Sequence, residues 1–251
     1  MRARPLSLVP TALVPTACCS LALVLAACSP ADTSSAPQPI PTQSRVAAAP
    51  PSTTKPSGSA TKTQTSRQLK QALLAPGDIS RRTEVSSPSD DRATYAGASL
   101  ECDALAAQLN VERPSGSVVQ AGESLSGGEQ GPFVDQELHA MRTAGEASAL
   151  VEGYRRAAAG CTELDVSYGY GADSTVDVSA KAVAGVDGRH VALSFHATDG
   201  ELDGFDYQQV HVQRANVVVS LTFVATSSDE VQSLTKEAVA KVQKKLVDRP
   251  S

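Results

Sequence analysis

The sequence predicts an α+β fold: an antiparallel β-meander packed on one face by about three helices, as a single domain after a disordered tail. Three observations lead there. Apolar residues alternate with polar ones through much of 164–225, and apolar residues recur at helical spacing around 99–109, 143–161 and 227–246. The segment ahead of them is Ser, Thr, Pro and Ala with almost nothing to bury. Period two marks half-buried strands and a period near 3.6 marks amphipathic helices; helices flanking a meander hide their apolar stripes by lying on the sheet.

The chain opens with an export address. Met1 to Arg4 carries two arginines and no acid, and Leu6 to Leu25 is mostly Leu, Val, Ala and Thr, the charged and apolar regions of a secretory signal. Pro10 and Pro15 interrupt that run and no charge follows until Asp32, so it does not read as a retained span, which needs about 20 apolar residues. Leu25-Ala26-Ala27-Cys28 resembles the bacterial lipobox. That resemblance implies loss of residues 1–27 and a diacylglycerol with palmitate-type acyl chains on the Cys28 thiol; the alternative is an ordinary cut near Ala27 that leaves Cys28 a free thiol. Two acyl chains hold a protein stably at a bilayer where one is marginal. The expected location is the outer face of the cytoplasmic membrane.

Residues 28–66 then read as the lipidated Cys and a Ser/Thr/Pro-rich tether. Too little of it is apolar to offset the entropy of ordering, and as a flexible coil it spans roughly 35 Å. It serves as a stalk or as a plain linker. The leader takes Arg2 and Arg4 with it, which makes the formal net charge of −5 more negative still. An acidic exported chain without a Lys/Arg run has no electrostatic footprint for nucleic acid or anionic head groups, so neither is an expected partner. Residues 67–251 are enough for one domain with its own core.

Within that domain, Gln68 to Leu74 is a short helical turn closed by Pro76-Gly77. Ser99 to Leu109 places Cys102, Leu105, Ala106 and Leu109 on one stripe, with Ser99 as N-cap. The next helix starts at Thr143, whose capping-box partner is Glu146, and carries Ala147, Leu150, Val151, Tyr154, Ala158 and then Cys161 on its stripe. The last starts at Ser227 with Glu230 and turns Val231, Leu234, Ala238, Val242 and Leu246 inward. Asp229 and Glu230 in its first turn and Lys244 and Lys245 in its last suit the helix dipole.

Between the helices, Val176, Val178 and Ala180 alternate with polar residues, as do Val191, Leu193 and Phe195, and Val217, Val219, Leu221 and Phe223. Asp187-Gly188, Asp199-Gly200 and Asp203-Gly204 punctuate them as hairpin turns. Further strands run through 117–125 and 133–141, with Ser126-Gly127-Gly128 between.

Cys18 and Cys19 leave with the leader and Cys28 is used by the lipid, so Cys102 and Cys161 remain in an oxidising compartment and are expected to pair. A redox thiol would want a neighbouring cation or a Cys-x-x-Cys pair, and neither is present.

These residues together resemble a family. The lipobox, the Ser/Thr/Pro tail, "QALLAPGDI" at 71–79, a Cys on an early helix, a Cys ending an Ala-rich helix, then a meander and a C-terminal helix are similar to the exported sensor-like lipoproteins of actinobacteria. Those resemble in outline the extracellular sensor domain of certain membrane serine/threonine kinases, a domain with two disulfides where this chain has cysteines for one. The resemblance covers about 67–248 and implies an apolar-lined cavity between helices and sheet.

Enzyme motifs offer no anchor: there is no G-x-S-x-G, H-E-x-x-H, C-x-x-C, P-loop or dinucleotide fingerprint. "SGGEQG" at 126–131 lacks a phosphate cradle's Lys and helix and reads as a turn. His190 and His196 share a strand face but lie roughly 20 Å apart, too far for one metal. No catalytic residue, metal or cofactor is assigned. His211, on a strand face with Tyr207 and Phe205 and close in sequence to Asp203 and Asp206, is the one place where a hydrolase site would assemble. Tyr168 and Tyr170 either rim a pocket or cap a sheet edge.

The expected function is therefore non-enzymatic binding of an apolar or amphipathic small molecule or of a cell-envelope component. The candidate cavity residues are Ala147, Leu150, Val191, Leu193, Phe195, Leu221, Leu234 and Ala238: the small alanines leave room under the helices, and the apolar strand residues form its floor. An adaptor lipoprotein without a pocket is the alternative. The anchor is tested first: Cys28→Ala is expected to move the protein from the membrane fraction to the medium, and its persistence in salt-washed membranes contradicts lipidation of that residue.

Overall fold

Nine strands make one antiparallel sheet in the computed structural model, which describes residues 63–79, 83–86, 93–169 and 171–248. The leader, Cys28, the tether as far as 62 and Tyr170 lie outside the described residues. The strands are β1 (Glu84–Ser86), β2 (Thr94–Gly97), β3 (Ser117–Ser126), β4 (Phe133–Met141), β5 (Glu163–Ser167), β6 (Asp173–Lys181), β7 (His190–Ala197), β8 (Asp206–Arg214) and β9 (Val217–Val224). Their order across the sheet is β1-β3-β4-β9-β8-β7-β6-β5-β2. The expected meander is the run from β5 to β9, in which each strand pairs with the next. The β3–β4 hairpin then returns to pair β4 with β9, which makes β9 a central strand.

The helices are α1 (Ser66–Lys70), α2 (Leu100–Leu109), α3 (Ala144–Ala159) and α4 (Ser228–Val242), the last continued by a π turn over Gln243–Val247. Both capping boxes read from the sequence form: Thr143 with Glu146, and Ser227 with Glu230. A third opens α1, where Thr65 pairs with Gln68, so α1 starts slightly before residue 67.

The sequence placed the helices on one face of the sheet; they divide between two. Val217, Val219, Leu221 and Phe223 of β9 pack with Leu69 of α1 and with Leu234, Ala238 and Val242 of α4. Val218 points the other way and packs with Cys102 and Leu105 of α2 and Ala147, Val151 and Tyr154 of α3. The cause is the run Val217-Val218-Val219, each residue of it fully buried: a strand that is apolar on consecutive positions needs cover on both faces.

Three ties hold the α2–α3 layer. Cys102, in the first turn of α2, is bonded to Cys161, just past the C-cap of α3. The Tyr154 hydroxyl donates to the Gln108 carbonyl at 3.3 Å. Asn110, the C-cap of α2, accepts from the Tyr95 backbone N–H at 2.8 Å and donates to the Tyr95 carbonyl at 2.7 Å, so its amide takes both main-chain groups of an edge-strand residue. Under α4, Gln136 of β4 is 1% exposed and accepts from the Leu74 N–H at 2.6 Å, fixing the turn that follows α1.

The bond between Cys102 and Cys161 spans 59 residues, and a loop of that length is worth about 4 kcal/mol in the chain-entropy model. Cys102→Ala and Cys161→Ala are expected to lower stability equally, by about 2 to 5 kcal/mol in denaturant titrations, and a non-reducing peptide map is expected to show the two peptides linked. Ala147 and Ala238 are fully buried in opposite layers. Ala147→Phe and Ala238→Phe are each expected to cost about 1 to 3 kcal/mol by overpacking, read by the same titration, whereas a roomy cavity at either position would accept the ring.

Candidate functional site

Alternation along the strands decides which residues meet. In β8, Val210 and Val212 face α4, while Tyr207 and His211 face α3. Register carries this across the sheet: Ala192 lies opposite Val210 and Val210 opposite Leu221, whereas Val191 lies opposite His211 and His211 opposite Ser220. Leu221 is therefore on the far side of the sheet from Val191, Leu193 and Phe195. The eight cavity residues separate accordingly. Ala147, Leu150, Val191, Leu193 and Phe195 belong to the α2–α3 layer, and Leu221, Leu234 and Ala238 belong to the α4 layer. All of them except Leu150 are buried core residues.

Leu150 is half-buried because it lines a groove. The groove, about 440 Å³, lies between the C-terminal end of α2, the 111–116 loop and the outer flank of α3. Val111, Pro114, Ala149, Leu150 and Tyr154 give it apolar walls. Arg142, Glu146 and Arg156 give it charge. Arg142 and Glu146 form an ion pair at 2.9 Å, and that bond keeps the Glu146 carboxyl below the usual range. Gly153 sits on the wall because a Cβ there would come within 3.1 Å of the Gln108 amide. The Gln108 Oε1 is buried without a hydrogen-bond partner.

Beneath the groove the wall rests on a buried polar cluster that the sequence reading missed. The ring of Tyr154 stacks on His211 with centroids 3.9 Å apart and planes 7° apart. His211 Nδ1 bonds the Ser220 hydroxyl at 3.0 Å, and its Nε2 is buried without a partner. On β4, His139 Nε2 lies 3.3 Å from a Glu137 carboxylate oxygen, and His139 Nδ1 is buried without a partner. Burial drives the His211 pKa down to about 3, with nearby His139 adding to the drop and Glu137 opposing it. Burial likewise pushes the Tyr154 hydroxyl up to about 12.

The acids close to His211 in sequence are not its neighbours in space. Asp206 projects from the opposite face of β8 and bonds His196 at 2.8 Å. The partners come instead from β4 and β9, brought in by pairing. The usable signal was the alternation in "FVDQELHAM" at 133–141, which sets Val134, Leu138 and Ala140 against Asp135, Glu137 and His139.

Tyr168 lies partly buried beside Tyr95 and Tyr207, whose hydroxyls meet at 3.2 Å and whose pKa values burial raises. A larger hollow, about 590 Å³, sits at the β2–β5–β6 edge among Asp165, Asp173 and Asp199, but Asp199 already accepts from the Thr175 N–H and Asp165 from the Thr175 hydroxyl. Among the described residues no three His, Cys, Asp or Glu side chains are placed to hold a metal ion, and no helix is long and apolar enough to cross a membrane.

No family model and no curated relative matches the sequence. Among solved structures, the extracellular domain of PknH from Mycobacterium tuberculosis superposes with a TM-score of 0.55 at 16% identity, over 73% of this chain and 98% of that one. A putative uncharacterized protein from Mycobacterium smegmatis aligns over 63% of this chain and 80% of its own at 14% identity, with a TM-score of 0.36 that establishes no common fold. The likeness expected from the sequence thus holds as a likeness of fold: this chain shares its architecture with the extracellular domain of PknH.

Proposed function

We propose that this chain is a lipid-anchored, extracytoplasmic binding domain without catalytic activity, held at the outer face of the cytoplasmic membrane through Cys28. In this reading the α2–α3 groove receives an amphipathic small molecule of the cell envelope. The groove carries it: Val111, Pro114, Leu150 and Tyr154 offer apolar contact beside Arg142 and Arg156, a pairing that suits a ligand with an apolar body and a polar or anionic end. The leader and the disulfide support an exported location.

The hydrolase reading loses ground at His211. A serine beside a histidine is the start of a nucleophile–base pair, but a ring whose pKa lies near 3 is too weak a base to take the Ser220 proton at neutral pH. The neutral imidazole serves as packing for Tyr154.

Ala149 tests the groove because it lines the wall yet is exposed, outside either core. Ala149→Trp is expected to leave the melting temperature unchanged and to weaken binding of an environment-sensitive apolar dye by about tenfold, the loss of roughly 1.4 kcal/mol. Native mass spectrometry of the wild-type domain from its own host is expected to show a co-purifying lipid-sized mass. A wild type that binds no dye and carries no such mass leaves the adaptor reading in its place.

A further inference from the structure

Tyr154 belongs to two places at once. It lines the groove, and its ring lies flat on His211. Its hydroxyl donates to the Gln108 carbonyl, which joins the α3 wall to the α2 wall. The shape of the groove therefore depends on a ring whose support is a titratable group.

We infer that acidification reshapes the groove through Tyr154: a proton on the buried His211 imidazole breaks the stack and frees the ring that joins the two walls. The inference rests on the groove being the binding site and adds its regulation.

Hydrogen-bond capacity gives the first reason. A neutral imidazole needs one donor bond and an imidazolium needs two. Ser220 serves Nδ1, but Nε2 has no partner, so a charged ring would bury an N–H with nothing to accept it. The groups packed around the ring do not repair this. Glu137 on β4 attracts the proton and His139 on β4 opposes it; Tyr154 covers the ring from α3, while β7 contributes Val191 and β9 contributes Ser220, neither of which titrates. The pull of a cation towards the Tyr154 face favours the charged ring, but it is smaller than the cost of charge in a site closed to water.

The direction follows from linkage. Uncovered by Tyr154, His211 would return towards its ordinary pKa of 6.5, whereas in the closed form it lies at about 3. The closed form is the one that has lost the proton, so its advantage is intact above 6.5 and shrinks as pH falls below it. At pH 5 the open form gains about 20-fold over its share at pH 7.

The experiment follows the wild-type domain from pH 7.5 to 4.5 by dye affinity, near-ultraviolet circular dichroism and imidazole NMR. The chain has five tyrosines and no tryptophan, so tyrosine packing dominates the dichroism beside the weaker signals of the disulfide and four phenylalanines. Affinity is expected to fall by up to about 20-fold at pH 5, together with the tyrosine signal. His211→Phe keeps an aromatic ring under Tyr154 without a titrating nitrogen, and is expected to flatten both curves. A wild type whose tyrosine signal holds steady while His211 titrates near 6.5, or a His211→Phe protein with the wild-type profile, overturns the inference. If the variant does not fold, the wild-type NMR titration decides alone. A wild type that binds no dye at any pH defeats the groove reading, and the tyrosine signal still decides the coupling.

Discussion

Strand β9 lies between β4 and β8 with Val217, Val218 and Val219 all withdrawn from water, and every other layer of the molecule answers to that arrangement. Successive side chains of a strand point to opposite faces, so three consecutive buried valines require two covering layers. The α4 layer covers one and the disulfide-tied α2–α3 layer covers the other. Further along the same strand the α3-facing positions turn polar at Ser220 and Thr222, and that change is what admits His211 and Glu137 beside it.

Much of the fold was legible because its signals are local. A Thr or Ser followed three residues on by Glu or Gln names a helix start whatever the tertiary context, and both sites read in advance form their boxes. Asp-Gly pairs marked the hairpin ends in the same local way. The short edge strands β1 and β2, three and four residues long, left no period to detect. Nor could the distribution of helices over two faces be seen from their own stripes, since an apolar stripe shows that a helix is covered without showing from which side. The clues were Val218 and Val224, apolar where a strand buried on one side would be polar.

The candidate site was less legible for a related reason. Leu150 was identified from its helical position and does line the groove, but it and its seven proposed companions were grouped by residue size and apolarity, and the pairing register distributes the group over both layers. His211 was noticed as unusual, yet Asp206, the acid offered beside it, projects from the opposite face of the strand. Contacts across an antiparallel sheet join residues such as Glu137 and His211 that are far apart in sequence, and only the register brings them together.

Asn110 has a consequence for how such molecules coexist. An unpaired sheet edge invites a second chain to add a strand. By occupying both main-chain groups of Tyr95, the Asn110 amide stands in for a further strand beside β2, the edge strand among the described residues. At that position no foreign backbone finds a donor or acceptor to template on, so strand addition at this edge forfeits a pair of ladder bonds.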